Sequence, residues 1–254
     1  MSKPKLLYGE RASSDFAPPK SKLDYAATKA LALDNVEIFY SLFETPMNDV
    51  LRALPASLHP SIPAVLCTNF WNVTESPFGP FTFAYVGPAC RTGIKPRHMV
   101  TRAWCDNPLA AGYLGANYGF DCKLAEIRCG ESYERIRGEV VIDGKTLLDI
   151  TTTDCVPIVG GGGSVKYSPP LNLCLVDNRP LFAQLEVGYT FKRVLRGSLA
   201  APVFDAVQFG DVALTPSYPI AGTFAVCDVQ LMPVRFAVDL TVPAEDGGAV
   251  KLAR

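Results

Sequence analysis

The feature that most constrains the fold is a succession of short β-rich runs separated by turn signals, with few helical stretches between them. Asp143-Gly144, between the runs 131–142 and 146–156, is a strong two-residue hairpin signal. The pattern predicts a mainly β (α+β) chain whose antiparallel sheet curls into a barrel or a sandwich. The other candidate strands are residues 37–44, 64–70, 81–86, 99–104, 171–176, 181–193, 203–214 and 223–240.

No internal repeat or linker divides the sequence, so one domain is predicted. Residues 1–23 carry lysines, serines and two prolines with little periodicity, which predicts an N-terminal arm that is either loose or extended. The domain then covers residues 24–254. Within it, residues 24–33 fit a short helix or a strand equally well, and Gly160–Gly163 predict a flexible loop.

One short helix is predicted after the first strand. Thr45 is a suitable N-cap, and Pro46 suits the first helical position because it has no N–H to leave unpaired. Pro55 should end the helix that covers residues 47–54.

Charge and hydropathy exclude two kinds of partner. The chain has 254 residues and a net charge of −1, so no basic excess exists to bind a phosphate backbone. No run approaches the roughly 20 apolar residues that span a bilayer. The first residues lack the apolar core of a signal peptide, so a cytoplasmic location is expected.

The metal-binding residue types are poorly arranged for a metal site. The eight cysteines form no Cys-x-x-Cys pair and the two histidines, His59 and His98, lie far apart, so neither a zinc site nor a cofactor is predicted. Except for Cys122, the cysteines are interpreted as small buried hydrophobic residues. His98 is a weak candidate for a general base, since no partner for it is evident.

The segment 104–127 carries the most information about function. It is apolar and glycine-rich, with Lys123 between Cys122 and Leu124. Burial of a lysine favours its neutral amine, which attacks carbonyl carbon and forms a Schiff base. The alternative is that Lys123 reaches solvent from the edge of a strand.

Several segments, in the same order along residues 34–245, resemble the acetoacetate decarboxylase family. They are the strand and helix from Glu37 to Pro55, Thr74-Glu75-Ser76, Asp106-Asn107 leading to Gly119–Ala125, and the closing strands 226–240 with Arg235. The resemblance implies a closed, cone-like antiparallel β-barrel with an internal active site, and an oligomer. It also implies a Schiff-base lysine activated by desolvation or by a cationic neighbour.

The sequence departs from the family at the reacting group. The family has a Lys-Lys pair whose first lysine is the nucleophile. That position is Cys122 here, and the second is Lys123. Glu75 falls on the second of two family glutamates. The first glutamate has no counterpart, and the family's arginine falls near Val36.

Three functions follow from these residues. The first is a lyase acting on a β-keto acid or related carbonyl compound, with Lys123 as the nucleophile and Glu75 positioning substrate or moving a proton. The second keeps the barrel without a Schiff base, and binds or acts on an apolar small molecule between Trp71, Tyr113, Phe120 and Cys122. The third is a non-catalytic binding or structural protein. A homo-oligomer is expected under the resemblance.

Overall fold

The computed structural model describes residues 6–158, 167–200, 203–205 and 213–252. Two α-helices lie in this part of the chain, α1 (Met47–Ala53) and α2 (Pro108–Tyr118). Short 3-10 turns cover Ser13–Asp15 and Ala244–Asp246. The strands are β1 (Leu31–Glu44), β2 (His59–Pro60), β3 (Val65–Val73), β4 (Phe81–Thr92), β5 (Lys95–Met99), β6 (Arg102–Cys105), β7 (Cys122–Leu124), β8 (Glu126–Ser132), β9 (Arg135–Ile142), β10 (Lys145–Pro157), β11 (Pro170–Val176), β12 (Arg179–Gln184), β13 (Val187–Leu199), β14 (Val203–Phe204), β15 (Tyr218–Leu231), β16 (Phe236–Asp239) and β17 (Ala249–Lys251).

The mainly β prediction is confirmed, and four predicted strands each cover parts of two strands. The runs 99–104, 131–142, 181–193 and 223–240 each contain a break between two strands. The Asp143-Gly144 hairpin forms as predicted, with Ile142 paired to Lys145. The turn at 177–180 is tighter than expected, because Asp177 and Asn178 alone make it with φ of 50° and 62°. The predicted glycine loop 160–163 lies outside the described residues.

Helix α1 occupies the predicted place, but its N-terminal cap differs. Pro46 is the N-cap residue and gives no side-chain hydrogen bond. Thr45, predicted as the cap, instead donates its hydroxyl to the carbonyl oxygen of Thr215, 2.9 Å away. The hydroxyl therefore ties the start of α1 to the chain before β15.

Helix α2 was not predicted, although its ends carry ordinary signals. The side chain of Asn107 accepts hydrogen bonds from the backbone N–H groups of Leu109 and Ala110. Pro108 follows at the first helical position, and Gly119 closes the helix with a φ of 77° that few other residues adopt. These caps fix the segment that leads into β7.

The sheet is built mainly from antiparallel neighbours. The strand order β13–β15–β1–β3–β4 forms its centre, and β4 continues past β3 to pair with β5. β5 then pairs in parallel with β11, which pairs with β12, and β12 pairs with β16. β10, β9 and β8 extend from β13 and pack across the outside of β1 and β3. The ladders among the described residues do not join into a ring, so barrel closure stays a prediction.

Alternate side chains along the strands separate two hydrophobic clusters, because successive residues of a strand point to opposite faces. The inner cluster lies on the face where β1, β3, β4, β11, β12, β13 and β15 converge, and includes Tyr40, Trp71, Phe83, Tyr85 and Cys227. The outer cluster lies beneath β8–β10 and α1, and includes Phe39, Phe70, Trp104, Val140 and Leu148.

The arm is an extended lead-in whose ends are held by backbone hydrogen bonds. Gly9 and Arg11 donate N–H groups to the carbonyl oxygens of Leu58 and Leu54, both 3.0 Å away. At the other end, the N–H of Leu23 donates to the carbonyl oxygen of Leu175 at 2.8 Å. Residues 12–20 therefore cross the surface between α1 and β11 with both ends fixed.

Candidate functional site

The strand β7 decides which of the two residues at the family's lysine positions faces the inside. β7 pairs in parallel with β6, with Cys122 opposite Ala103 and Lys123 opposite Trp104. Ala103 belongs to the inner cluster and Trp104 to the outer one. Cys122 accordingly packs against the inner cluster, and Lys123 is exposed on the other face.

The sulfur of Cys122 is held as a thiol. Burial, with Cys105 and Asp121 nearby, raises the pKa of Cys122 well above its ordinary value. Because the thiolate is the nucleophilic form of cysteine, this shift disfavours Cys122 as a nucleophile. Its interpretation as a small residue lining an apolar interior agrees with this environment.

The structure brings together most of the predicted substrate-binding residues. The ring of Phe83 lies 5.9 Å from that of Trp71 and 4.9 Å from that of Phe120, both nearly perpendicular to it. Tyr113 lies at the margin on α2, half-buried, with its ring 4.6 Å from Phe78. The predicted catalytic residues are elsewhere, since Lys123 is on the outer face and Glu75 is exposed in the turn after β3. No hydrogen bond or ion pair joins them in the described ranges.

A hydrogen-bond relay runs through the inner cluster. The indole N–H of Trp71 donates to Oδ1 of Asn69 at 2.7 Å, and Nδ2 of Asn69 donates to the hydroxyl oxygen of Tyr85 at 2.9 Å. Because Tyr85 accepts in this chain, its own hydroxyl hydrogen is left to donate onward. Burial raises the pKa of Tyr85, so that hydrogen stays in place.

His98 is the residue that sequence reasoning undervalued. Its side chain is fully buried, and its ring lies 5.4 Å from that of Tyr85. Neither ring nitrogen has a hydrogen-bond partner among the described residues. Burial lowers the pKa of His98 to about 3, so at neutral pH the ring is uncharged and offers one donor and one acceptor. His98 lies inside because its strand, β5, pairs with β4 and β11, and the sequence does not reveal these pairings.

More tyrosines complete the polar part of the interior. The rings of Tyr40 and Tyr167 lie 4.7 Å apart, and Tyr189 lies 5.2 Å from Tyr167. Burial raises the pKa of all three, and it raises the pKa of the neighbouring Cys67 thiol to about 12. The buried Arg97 lies beside this interior, with its guanidinium paired to Glu186 at 2.7 Å. The inner cluster is therefore aromatic, and hydroxyl and imidazole groups supply its polar atoms.

Neither a metal site nor a membrane span is found in the described ranges. Among the described residues, no group of three His, Cys, Asp or Glu side chains is arranged to hold a metal ion. Neither described helix has the length and apolar character needed to cross a bilayer.

No protein-family model matches the chain, and no curated protein sequence matches it. Several solved structures do match it. An acetoacetate decarboxylase matches with a TM-score of 0.68 and 14% identity, over 82% of this chain and 88% of that one. The enduracididine biosynthesis enzyme MppR complexed with pyruvate matches with a TM-score of 0.65 and 17% identity, over 87% and 91% of the two chains. An acetoacetate decarboxylase-like enzyme from Sphingomonas wittichii RW1 matches with a TM-score of 0.59 and 14% identity, over 89% and 98%. The chain therefore has an acetoacetate decarboxylase-like fold, as the sequence resemblance predicted.

Proposed function

We propose that this protein binds an uncharged carbonyl compound inside the sheet and polarises its carbonyl group through Tyr85 and His98, without a Schiff base. The observation that carries the proposal is the fully buried His98, whose two ring nitrogens lack partners beside a tyrosine with a hydroxyl hydrogen to donate. Buried polar groups are almost always hydrogen-bonded in native proteins, so an unpartnered imidazole indicates a position for another molecule's polar atom.

The chemistry of the interior favours an uncharged ligand. A carboxylate would lose its hydration there, which is costly in an apolar interior, and the neighbouring buried Arg97 is already paired with Glu186 at 2.7 Å. A ketone or aldehyde oxygen needs only donors, and the Tyr85 hydroxyl and a His98 N–H are of that kind. Two donors directed at a carbonyl oxygen stabilise negative charge that develops on it, as in an enol or a tetrahedral adduct.

A closed barrel is part of this proposal. β12 runs directly into β13 through Leu185-Glu186, and β15 runs into β16 through residues 232–235. The β12–β16 and β13–β15 ladders are thus two halves of one bent pair of strands. When β12 and β13 are counted as one bent strand, the inner cluster is surrounded by a ring of strands, which are β1, β3, β4, β5, β11, β12–β13 and β15.

The lyase with Lys123 as its nucleophile is the second candidate. Lys123 lines a cleft together with Arg102, a cation of the kind that activates an amine or holds a substrate carboxylate. Glu75 would act in this reaction only from the exposed turn where it lies.

One experiment separates the two candidates. The protein is incubated with acetoacetate, pyruvate, 2-heptanone and cyclohexanone, reduced with borohydride, and mapped by peptide mass spectrometry. In parallel, calorimetry measures binding of the two uncharged ketones to the wild type and to Tyr85→Phe. Our proposal expects ketone binding that weakens about fivefold or more in Tyr85→Phe, with no lysine adduct. An adduct on Lys123 that Lys123→Arg abolishes would establish the lyase reading instead, and equal binding by Tyr85→Phe would overturn the role of Tyr85.

The expected location and assembly are also part of this proposal. All eight cysteines are free thiols, which supports a reducing compartment such as the cytoplasm. Leu109 and Leu124, on the neighbouring elements α2 and β7, expose 69% and 57% of their surface. Such exposed apolar residues support a homo-oligomer.

A further inference from the structure

A cleft of about 460 Å³ lies between the N-terminal arm and the outer face of the sheet. Residues 15–20 of the arm form one side of it. Met99 and Phe182 of the outer cluster supply apolar surface on the other side. Neither Tyr85 nor His98 is among the residues that line the cleft.

The side chains that line the cleft carry an excess of positive charge. Arg11, Lys20, Arg102 and Lys123 are the cations, and Asp15 and Asp121 are the acids. Lys20 and Lys123 make no ion pair with a carboxylate in the part of the chain that the structure describes. A concave surface with unpaired ammonium groups attracts an anion.

A second observation points to a ligand at the same place. Asn172, on β11, lines the cleft, and only 2% of its surface is exposed. Its Nδ2 donates to the carbonyl oxygen of Tyr118 at 2.8 Å, which leaves Oδ1 without a donor among the described residues. A buried acceptor without a donor costs free energy that a ligand hydroxyl would recover.

We propose that the cleft binds a small amphipathic hydroxycarboxylate. The carboxylate lies between Lys20 and Lys123, the hydrocarbon part covers Met99 and Phe182, and the hydroxyl donates to Oδ1 of Asn172. Lys123 is in this proposal a binding residue and not a nucleophile. The inference is independent of the proposed function, because neither Tyr85 nor His98 lines the cleft.

The first test compares 2-hydroxyhexanoate, hexanoate and 1-hexanol by isothermal titration calorimetry at low ionic strength. We expect 2-hydroxyhexanoate to bind most tightly, hexanoate about fivefold more weakly, and 1-hexanol not measurably. Equal affinity for hexanoate and 1-hexanol would overturn the anion site. Equal affinity for 2-hydroxyhexanoate and hexanoate would overturn the role of Asn172.

The second test uses charge variants with a matched control. Lys123→Gln and Lys20→Gln should each weaken 2-hydroxyhexanoate binding about fivefold, since each removes one charge near the surface. Lys29→Gln removes an exposed lysine outside the cleft and should leave binding unchanged. Wild-type affinity in both cleft variants would overturn the proposal. None of the three probes has a ketone group, so none can form an imine with Lys123. Ketone binding by Tyr85→Phe, in contrast, reports only on the interior, so the two proposals can fail separately.

Discussion

Cys122 and Lys123 are consecutive residues of β7 and project to opposite faces of the sheet, the thiol inward and the ammonium outward. The alternation of a strand thus gives the interior a thiol and the outer cleft a cation. Placing an amine inside would require a substitution at residue 122 or a shift of register.

Cys122→Lys should introduce imine chemistry into the interior. An amine at the inward position is desolvated, which lowers its pKa and raises its nucleophilicity. We expect borohydride to trap acetone on residue 122, at a cost of about 1–3 kcal/mol in the free energy of unfolding. Peptide mass spectrometry and urea denaturation measure the two effects. Cys122→Met is the control without an amine, and a folded Cys122→Lys protein that gives no adduct at residue 122 would contradict the assigned orientation.

Stability should fall between pH 7.5 and pH 5 because of His98. The pKa of His98 is about 3 in the folded chain and about 6.5 when unfolded, so only the unfolded chain gains this proton in that range. Proton uptake by the unfolded state lowers the free energy of unfolding by about 2 kcal/mol at pH 5. The Arg137 guanidinium lowers the pKa of Asp149. The stability that this ionised carboxylate contributes is lost only at a lower pH than the change expected for His98. In urea denaturation, the free energy of unfolding of His98→Phe should not fall in this way between pH 7.5 and pH 5. The same fall in the variant as in the wild type would show that His98 is not the group responsible.

The hydrogen-bond relay through Asn69 should contribute more to the free energy of unfolding than a hydrogen bond on the surface does. Asn69→Ala leaves the Trp71 indole N–H without its acceptor and the Tyr85 hydroxyl without its donor in a buried region. The expected loss in the free energy of unfolding is about 2–4 kcal/mol, with a change in Trp71 fluorescence. Asn48→Ala, at an exposed asparagine of α1, is the control and should cost less than about 1 kcal/mol. A similar loss in both variants would argue against the relay.

The outer layer depends on a close approach at Gly138. A Cβ there would lie 2.7 Å from Cδ2 of the Phe70 ring, so β9 would have to move away from β3. Gly138→Ala should destabilise the protein by about 1–3 kcal/mol, measured by thermal and urea unfolding. Gly188→Ala meets nothing nearer than Gln230 Cβ at 3.7 Å and should be close to neutral. A neutral Gly138→Ala would mean that β9 does not pack against Phe70 in this way.

Assembly is tested by introducing charge on α2. If Leu109 lies in an interface between copies, Leu109→Glu should lower the mass found by size-exclusion chromatography with light scattering, because a buried carboxylate is costly. Glu126→Gln, an exposed change on the neighbouring β8, is the control. An oligomer that persists in Leu109→Glu would exclude this surface, and a monomeric wild type would refute the oligomer itself.

The sequence predicted local structure well where the signal was local. Asp143-Gly144 specifies a tight turn by itself, and alternating apolar residues identified most of the strands. Helix α2 was missed because it has no charged residue and its exposed positions, such as Leu109 and Gly112, contrast little with its buried ones. The caps at Asn107 and Gly119 were the available signal.

The inside of the site could be predicted only in part. Trp71, Phe120 and Cys122 were expected to meet, and they pack in or against one cluster. The environment of His98 depends on β4 and on β11, more than 70 residues further along the chain, so no local pattern reveals it. The direction of Lys123 depends equally on its pairing with β6.

The arm has a consequence for how the protein should respond to proteolysis. Its hydrogen bonds to Leu54 and Leu58 on one side and to Leu175 on the other join regions far apart in sequence. A single cut between residues 12 and 20 leaves each fragment of the arm attached at its own end. Cleavage there would open one wall of the outer cleft without releasing the chain before it, so a nicked protein should still migrate as one particle while its cleft is accessible to larger ligands.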